Sequence, residues 1–456
     1  MEDGARARAC EDDVLAVGRA LHAQLPHGRG HPVRALDDKA MELAASDAEL
    51  RAALFRFVDV VPACRSLDDL ARHLTGFLGE VDDRAPAHTQ VAAALKLGST
   101  RPGRAALGAA AAAGVKHMAH RFIVGEDVGA ATGALRDLWE RGVATSVDLL
   151  GEATITAAEA DRYAARCSAA LDALADAYDK QPPRPQLEAD GLGPIPRANL
   201  SVKVSALTPL LRPDAPERGQ QDAARRLQQL LTHADDLGAH LHVDMESFDS
   251  REAIVDLVLA LLADPRHARG PSLGVVLQAY LVDSPQLCER LVAHAQQHPR
   301  AHPLVIRLVK GAYWDHEVVE ARQHGWGVPV FERKADSDRN FEALTRRLLE
   351  ARAAGVPIRP AIASHNLRSV AHAIATTRAV GLEDRDLELQ VLRGLGDDLQ
   401  DALAACGLRV RAYCPVGDLV AGMAYLVRRL LENTSNESFL ADQAAGKPIE
   451  ELLAAP

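Results

Sequence analysis

Apolar positions follow two different periods along this chain, and the change between them divides it. Up to about residue 115, leucine, alanine, valine and phenylalanine recur every three to four residues among arginine, aspartate and glutamate. That spacing predicts helices over 14–25, 37–45, 47–58, 66–78 and 92–113, with no β-branched run between them. From about residue 144, short apolar or β-branched runs take over, at 144–150, 199–204, 239–245, 273–278, 304–310, 359–363, 387–391 and 409–413. Most are followed by a helical pattern, as at 223–237, 251–263, 285–297, 340–354 and 418–431. Strands alternating with helices predict parallel βαβ units, and eight of them over this length predict a closed (β/α)8 barrel.

The fold class expected is therefore α/β: a distorted TIM-type barrel preceded by an all-helical N-terminal arm. The boundaries read from the pattern are 1–115 for the arm, 116–440 for the barrel and 441–456 for a tail. The proline-rich stretch 181–196 reads as a long connection before the second strand, and Tyr413-Cys414-Pro415-Val416-Gly417 as a strand end turning into the last helix.

Composition narrows the function. A net charge of −11 argues against a nucleic-acid surface, which needs basic patches to meet phosphates. The six cysteines, at 10, 64, 167, 288, 406 and 414, form no CxxC pair, which points to a reduced, cytoplasmic protein without disulfides or structural zinc. The polar, acidic N-terminus is no signal peptide, and the uncharged run 105–115 is too short to span a bilayer. Peripheral contact with the inner face of a membrane is compatible with all of this.

Candidate chemistry concentrates at the strand ends, where a (β/α)8 barrel keeps its active site. The first strand leads to Asp148 and Glu152, the second to Lys203 and Ser205, the third to Asp244 and Glu246. The fourth gives Gln278 and Tyr280; the fifth gives Arg307, Lys310, Gly311, Tyr313 and Trp314. The sixth gives Ser364, His365 and Asn366, the seventh Glu388 and Gln390, the eighth Tyr413. Polar groups converging from every strand are hard to read as scaffold. The histidines lack carboxylate ligands at suitable spacing, so no metal site is expected; His294 and His298 read as surface residues. No GxGxxG follows a strand, so a Rossmann nucleotide site is not supported. Residues 307–314 place Arg307 and Lys310, a glycine and two aromatics in sequence. They suit an electron-rich ring or a pyrophosphate, and equally a buried strand whose cations pair with carboxylates. On the last helix, Tyr425, Arg428, Arg429 and Glu432 share one face. Paired guanidiniums there offer two planar forks for a carboxylate, although the same spacing also serves a solvated face.

The strings VDLLGEA, NLSVKVSAL, HVDMES, VVLQAYL, RLVKGAYWD, ASHN, ELQVLRGLG, YCPVG and YLVRRLLENTSNESF, in this order over 144–439, resemble the proline dehydrogenase family. The similarity is greatest to the proline dehydrogenase half of bacterial proline utilization A, whose helical arm the N-terminal region also resembles. The resemblance implies non-covalent FAD at the barrel mouth and oxidation of L-proline to Δ1-pyrroline-5-carboxylate. It implies hydride transfer from proline C5 to flavin N5, with electrons passing to membrane quinone. Lys203, Arg428 and Arg429 would hold the substrate carboxylate; Leu308, Ala312, Tyr313, Leu392, Tyr413 and Tyr425 would shape the ring pocket. The FAD site would be lined by Asp244, Met245, Val276, Gln278, Arg307, Val309, Lys310, Gly311, Ala312 and Trp314. Lys334, Ser364, His365, Asn366, Gln390, Val391, Tyr413, Arg429, Glu432, Ser438 and Phe439 would complete it. Glu152 would pair with Arg428 as an ionic gate.

The departures from the family pattern are Ser364 for threonine, Glu332 in place of threonine before Arg333-Lys334, and Leu395 where methionine is usual. The aldehyde dehydrogenase half and the basic DNA-binding module of the larger relatives do not appear. The expectation is either a separate pyrroline-5-carboxylate dehydrogenase as partner or a chain that is a piece of a longer protein. Two other readings remain beside this one: oxidation of a related cyclic amino acid, and a silent scaffold for a separate aldehyde dehydrogenase.

Overall fold

The computed structural model describes residues 2–25, 48–81, 88–151, 154–418, 422, 425, 442–443 and 446–456. They form two compact units. One comprises Met1–Leu25, Asp127–Val416 and Ile449–Pro456; the other comprises Pro26–Glu126 and Gly417–Pro448. The first helix, Glu2–Gln24, thus belongs to the same unit as the barrel.

Eight parallel strands close the barrel: β1 (Val143–Leu149), β4 (Asn199–Val202), β5 (His240–Val243), β6 (Ser272–Gln278), β7 (Leu304–Val309), β8 (Ile358–Ala363), β9 (Glu388–Leu392) and β10 (Val410–Val416). Every predicted strand is present, and β1 pairs with both β4 and β10 to complete the ring. β10 runs three residues past its predicted end, because Ser146–Leu149 of β1 continue the register opposite Tyr413–Val416. The stretch 181–196 is more than a connection. It holds the short helix Pro185–Glu188 and an antiparallel pair, β2 (Ala189–Asp190) with β3 (Gly193–Pro194). Leu192 N donates to Asp190 Oδ1 at 2.8 Å and shapes the turn between them.

The helices that pack on the barrel bury nearly every apolar position. On Leu367–Ala379, Ala371 and Ala375 receive Val14 of the first helix. Beside them, the buried Arg368 donates to Glu11, to Glu342 at 2.8 Å and to Leu453 O at 3.0 Å, so one guanidinium ties three segments together.

In the second unit, the predicted helix 92–113 is two helices, His88–Gly98 and Arg101–Phe122. The break has a local cause: Thr100 caps the second helix by accepting from Gly103 N at 3.2 Å, and Pro102 cannot donate backward. Helix Leu67–Leu78 starts on a similar cap, Ser66 accepting from Asp69 N at 3.1 Å, and buries Leu70, Leu74 and Leu78. Gly108 permits its close approach, since a Cβ there would lie 2.0 Å from Leu67 O. The candidate helix 37–45 and most of 418–431 lie outside the described residues.

Candidate active site

Barrel interiors are usually filled by branched apolar side chains. Here strand alternation aims polar residues inward on most strands, and the hydrogen bonds between them confirm that they share one interior. In the middle layer, Ser146 donates to Asn199 Oδ1 at 2.7 Å and lies 3.2 Å from Ser201 Oγ. The Arg307 guanidinium reaches this layer from β7, donating through Nη2 to both serines at 3.2 Å and through Nε to Gln390 Oε1 at 2.8 Å. Its remaining fork points to the C-terminal strand ends, where Nη1 donates to Asp244 Oδ1 at 2.6 Å.

At those ends a compact network forms. Tyr413 Oη donates to Asp244 Oδ2 at 2.6 Å, and the tyrosine ring lies 5.2 Å from the Arg307 guanidinium carbon. Lys203 Nζ bonds Asp148 Oδ1 at 2.6 Å and stands 3.9 Å from Asp244. Lys203, Asp148, Asp244 and Arg307 are all buried. Burial, and then the charges of Asp148 and Asp244, push the Tyr413 hydroxyl well above its ordinary value, so it is a phenol and a donor at neutral pH. Burial also raises the Asp148 carboxyl, with the Lys203 charge opposing it.

Around this network, Gln278 on β6 donates to Glu246 O at 3.1 Å, while its buried Oε1 has no hydrogen-bond partner among the described residues. Val276, two residues earlier on the same face, sits in register with Arg307. Past β7, Lys310 and Lys334 both bond the carboxylate of Asp338. Burial lowers the Lys310 ammonium below its usual range, opposed by Asp338. Gly311 has φ +138°, and a Cβ there would fall 2.3 Å from the Tyr280 ring, so only glycine fits. Trp314 donates to Phe331 O at 2.9 Å and is partly exposed, as are Ala312 and Tyr313 beside it. Past β8, Ser364 Oγ accepts from Asn366 N at 3.1 Å, and Asn366 caps the next helix by accepting from Ser369 N at 3.2 Å. His365 Nε2 accepts from Leu392 N at 2.8 Å, which fixes its hydrogen on Nδ1.

Lys203, Asp244, Arg307, Gln390 and Tyr413 are therefore brought into one network, with Gln278 and Val276 on the same inner surface. Val309 ends β7 opposite Gln278. Leu308, Met245 and Val391 are not brought to it: each is next in sequence to an inward residue, so alternation turns it to the outer face, where all three are buried. Tyr425 is buried in the other compact unit. Glu152, Arg428, Arg429, Glu432, Ser438 and Phe439 lie outside the described residues. Asp148 stands at a strand end read as candidate chemistry but is not among the site residues the resemblance implies; Ser146, Ser201 and Asp338, which also hold the network, were not singled out. The serines could have been found by carrying the period-2 alternation back from Lys203 and the end of β1. Asp338 could have been found from its i,i+4 spacing to Lys334. Among the described residues, no group of three or more histidine, cysteine, aspartate or glutamate side chains could hold a metal.

Comparison with known proteins gives this arrangement its family. The family model for proline dehydrogenase matches residues 131–442, and the model for the proline utilization A N-terminal domain matches residues 11–122. The chain is 34% identical over 349 residues to the bifunctional protein PutA of Salmonella typhimurium, covering 74% of this chain and 25% of that protein. It is 27% identical to a proline dehydrogenase of Deinococcus radiodurans, over 71% of this chain and 89% of the relative. A crystal structure of proline utilization A from Bdellovibrio bacteriovorus, inactivated by N-propargylglycine, superposes with a TM-score of 0.88 at 32% identity. That match covers 98% of this chain and 44% of the other. The chain thus spans a quarter to under a half of these larger relatives. With one model matching well over half of its residues, on the barrel that carries the network, the chain belongs to the proline dehydrogenase family.

Proposed function

We propose that the chain oxidises L-proline to Δ1-pyrroline-5-carboxylate with FAD as its redox group. The observation that supports this best is the buried network of Lys203, Asp148, Arg307, Asp244 and Tyr413 at the strand ends, on segments that match the family.

The residues present fit FAD on two counts. Lys310 and Lys334 share the single carboxylate of Asp338, which leaves one positive charge for a phosphate. The open Oε1 of Gln278 is an acceptor suited to a ring N–H. Arg307, Asp244, Gln278 and Gln390 would hold the ring system; Lys310, Lys334, Ser364, His365 and Asn366 would hold the ribityl–phosphate part. When bound, FAD supplies an acceptor for the two electrons of the carbon–hydrogen bond beside the amine.

The chain's own residues bind, orient and shield. Lys203 grips the proline carboxylate, and this grip fixes which ring carbon faces the acceptor. Tyr413 and Tyr313 close over the five-membered ring and exclude water. Tyr413 stays protonated and donates to Asp244, so the wall of the pocket does not compete for the amine proton. The electrons pass on to a membrane quinone, and the product passes to a pyrroline-5-carboxylate dehydrogenase. Among the described residues no helix is long and apolar enough to cross a membrane, which fits a peripheral encounter with quinone.

The test is anaerobic addition of L-proline to the purified chain reconstituted with FAD. Loss of the oxidised-flavin absorbance with formation of Δ1-pyrroline-5-carboxylate is expected. A protein that takes up no FAD, or whose bound FAD stays oxidised at saturating proline, overturns the proposal.

A further inference from the structure

The opposite end of the barrel interior carries a second polar cluster that the proposed oxidation does not use. Arg359 at the start of β8, Arg409 just before β10 and Arg411 on β10 converge there with Asp190 of β2 and Glu388 of β9. Arg411 is fully used: Nε and Nη2 donate to Glu388 at 2.9 and 3.1 Å, and Nη1 donates to Thr145 O at 2.8 Å. Arg359 bonds Asp190 at 2.9 and 3.0 Å, and Gly193 O and Pro194 O at 3.0 Å, yet its Nη1 has no partner among the described residues. Arg409 is 1% exposed. It lies 3.6 Å from Asp190 and 3.8 Å from Glu388, beyond hydrogen-bond reach, and both its Nε and Nη1 lack partners among the described residues.

Arg359, Arg409 and Arg411 line one internal cavity with His240, His242 and Glu388. The space open to the centre of a water molecule is about 20 Å³, room for one or two small occupants. Three guanidiniums face two carboxylates. The neighbouring charges do not correct the imbalance: Arg352 has Asp386 at 2.9 Å, and Arg307 has Asp244. His240 and His242 add no further positive charge, since burial and then the arginine charges keep both imidazoles neutral. A buried, unmatched guanidinium with open N–H groups is costly unless an anion meets it.

We propose that this cavity binds a single monatomic anion of the halide class, chloride in ordinary buffers, held by Arg409 Nε and Nη1 and by Arg359 Nη1. The cavity is matched to a small anion, and the three donors supply the charge-assisted contacts a halide needs. The site is independent of the redox reading, because it lies at the other end of the strands.

Long-wavelength diffraction from crystals of protein kept in sodium chloride tests it. An anomalous peak between Arg359 and Arg409 is expected, absent in Arg409→Met, whose loss of charge removes the need for the anion. Melting temperature should also be a few degrees higher in chloride than in gluconate at equal ionic strength, because the halide binds only the folded chain. Should Arg409→Met fail to fold, the wild-type map and salt pair decide alone. No anomalous signal at the cavity, with density explained by water, overturns the proposal. So does a melting temperature equal in the two salts.

Discussion

The two ends of the barrel interior are built from the same side-chain types and differ in how charge is matched. In the central network at the C-terminal end each cation has its own carboxylate, Lys203 with Asp148 and Arg307 with Asp244. At the N-terminal end three guanidiniums share Asp190 and Glu388, and Arg409 lies beyond hydrogen-bond reach of both. A network that is neutral between visits can release what it binds. An end that carries a standing charge keeps its occupant. The contrast separates a site built for turnover from a site built to hold.

Breaking the matched end at its centre should have the largest effect. Arg307→Ala leaves the buried Asp244 with Tyr413 as its hydrogen-bond donor and Lys203 3.9 Å away, which should cost about 3–5 kcal/mol of stability and abolish flavin reduction by proline. Chemical denaturation and anaerobic reduction read the two losses; a variant within about 1 kcal/mol of the parent would show that the pair is not a unit.

At the other end, Glu388 matters through pH. Burial disfavours its charge, but Arg411 and Arg409 outweigh that and bring the carboxyl down from the ordinary 4.5 to about 2. Because the folded value is the lower one, this stabilisation is complete above about pH 4.5 and fades as pH falls towards 2. It amounts to about 3 kcal/mol. Wild type should therefore lose more stability than Glu388→Gln between about pH 5 and pH 3. Parallel pH profiles for the two proteins would contradict the assignment.

Tyr413→Phe removes one donor from Asp244 while Arg307 stays, so the expected stability loss is smaller, about 1–2 kcal/mol in urea unfolding. A larger loss would place the tyrosine, not the arginine, at the centre of the network. Asp148→Asn removes the 2.6 Å bond to Lys203 together with the burial cost of the carboxylate, so substrate binding is the sharper readout there. Lys203 loses that ion pair, and the KM for proline should rise roughly tenfold, about 1.4 kcal/mol of binding. An unchanged KM would mean Lys203 is positioned by something other than Asp148.

Much of this was legible in the residues. All eight strands appear where β-branched runs predicted them, because a strand buried on both faces has a nearly continuous apolar signature that loops lack. The boundary errors have local causes. Apolar spacing runs straight through 92–113, while Thr100 and Pro102 act at single positions that a periodic reading averages away. Lys203, Asp244, Arg307 and Tyr413 stood out because cations, a carboxylate and a phenol at strand ends have few structural uses. The N-terminal cluster stayed hidden for the opposite reason. Asp190 sits in a stretch that reads as a loop, about 170 residues before Arg359, and only the closed ring brings the two together.

The β2–β3 pair also sets a timescale. Asp190 is fully enclosed, and Arg359 ties it to β8 while also binding the carbonyls of Gly193 and Pro194. Lifting the hairpin would break several charge-assisted bonds at once, so it opens only by local unfolding. That motion is slow beside the passage of small molecules at the other end, and Arg359, which also lines the lower cavity, stays in place between such openings.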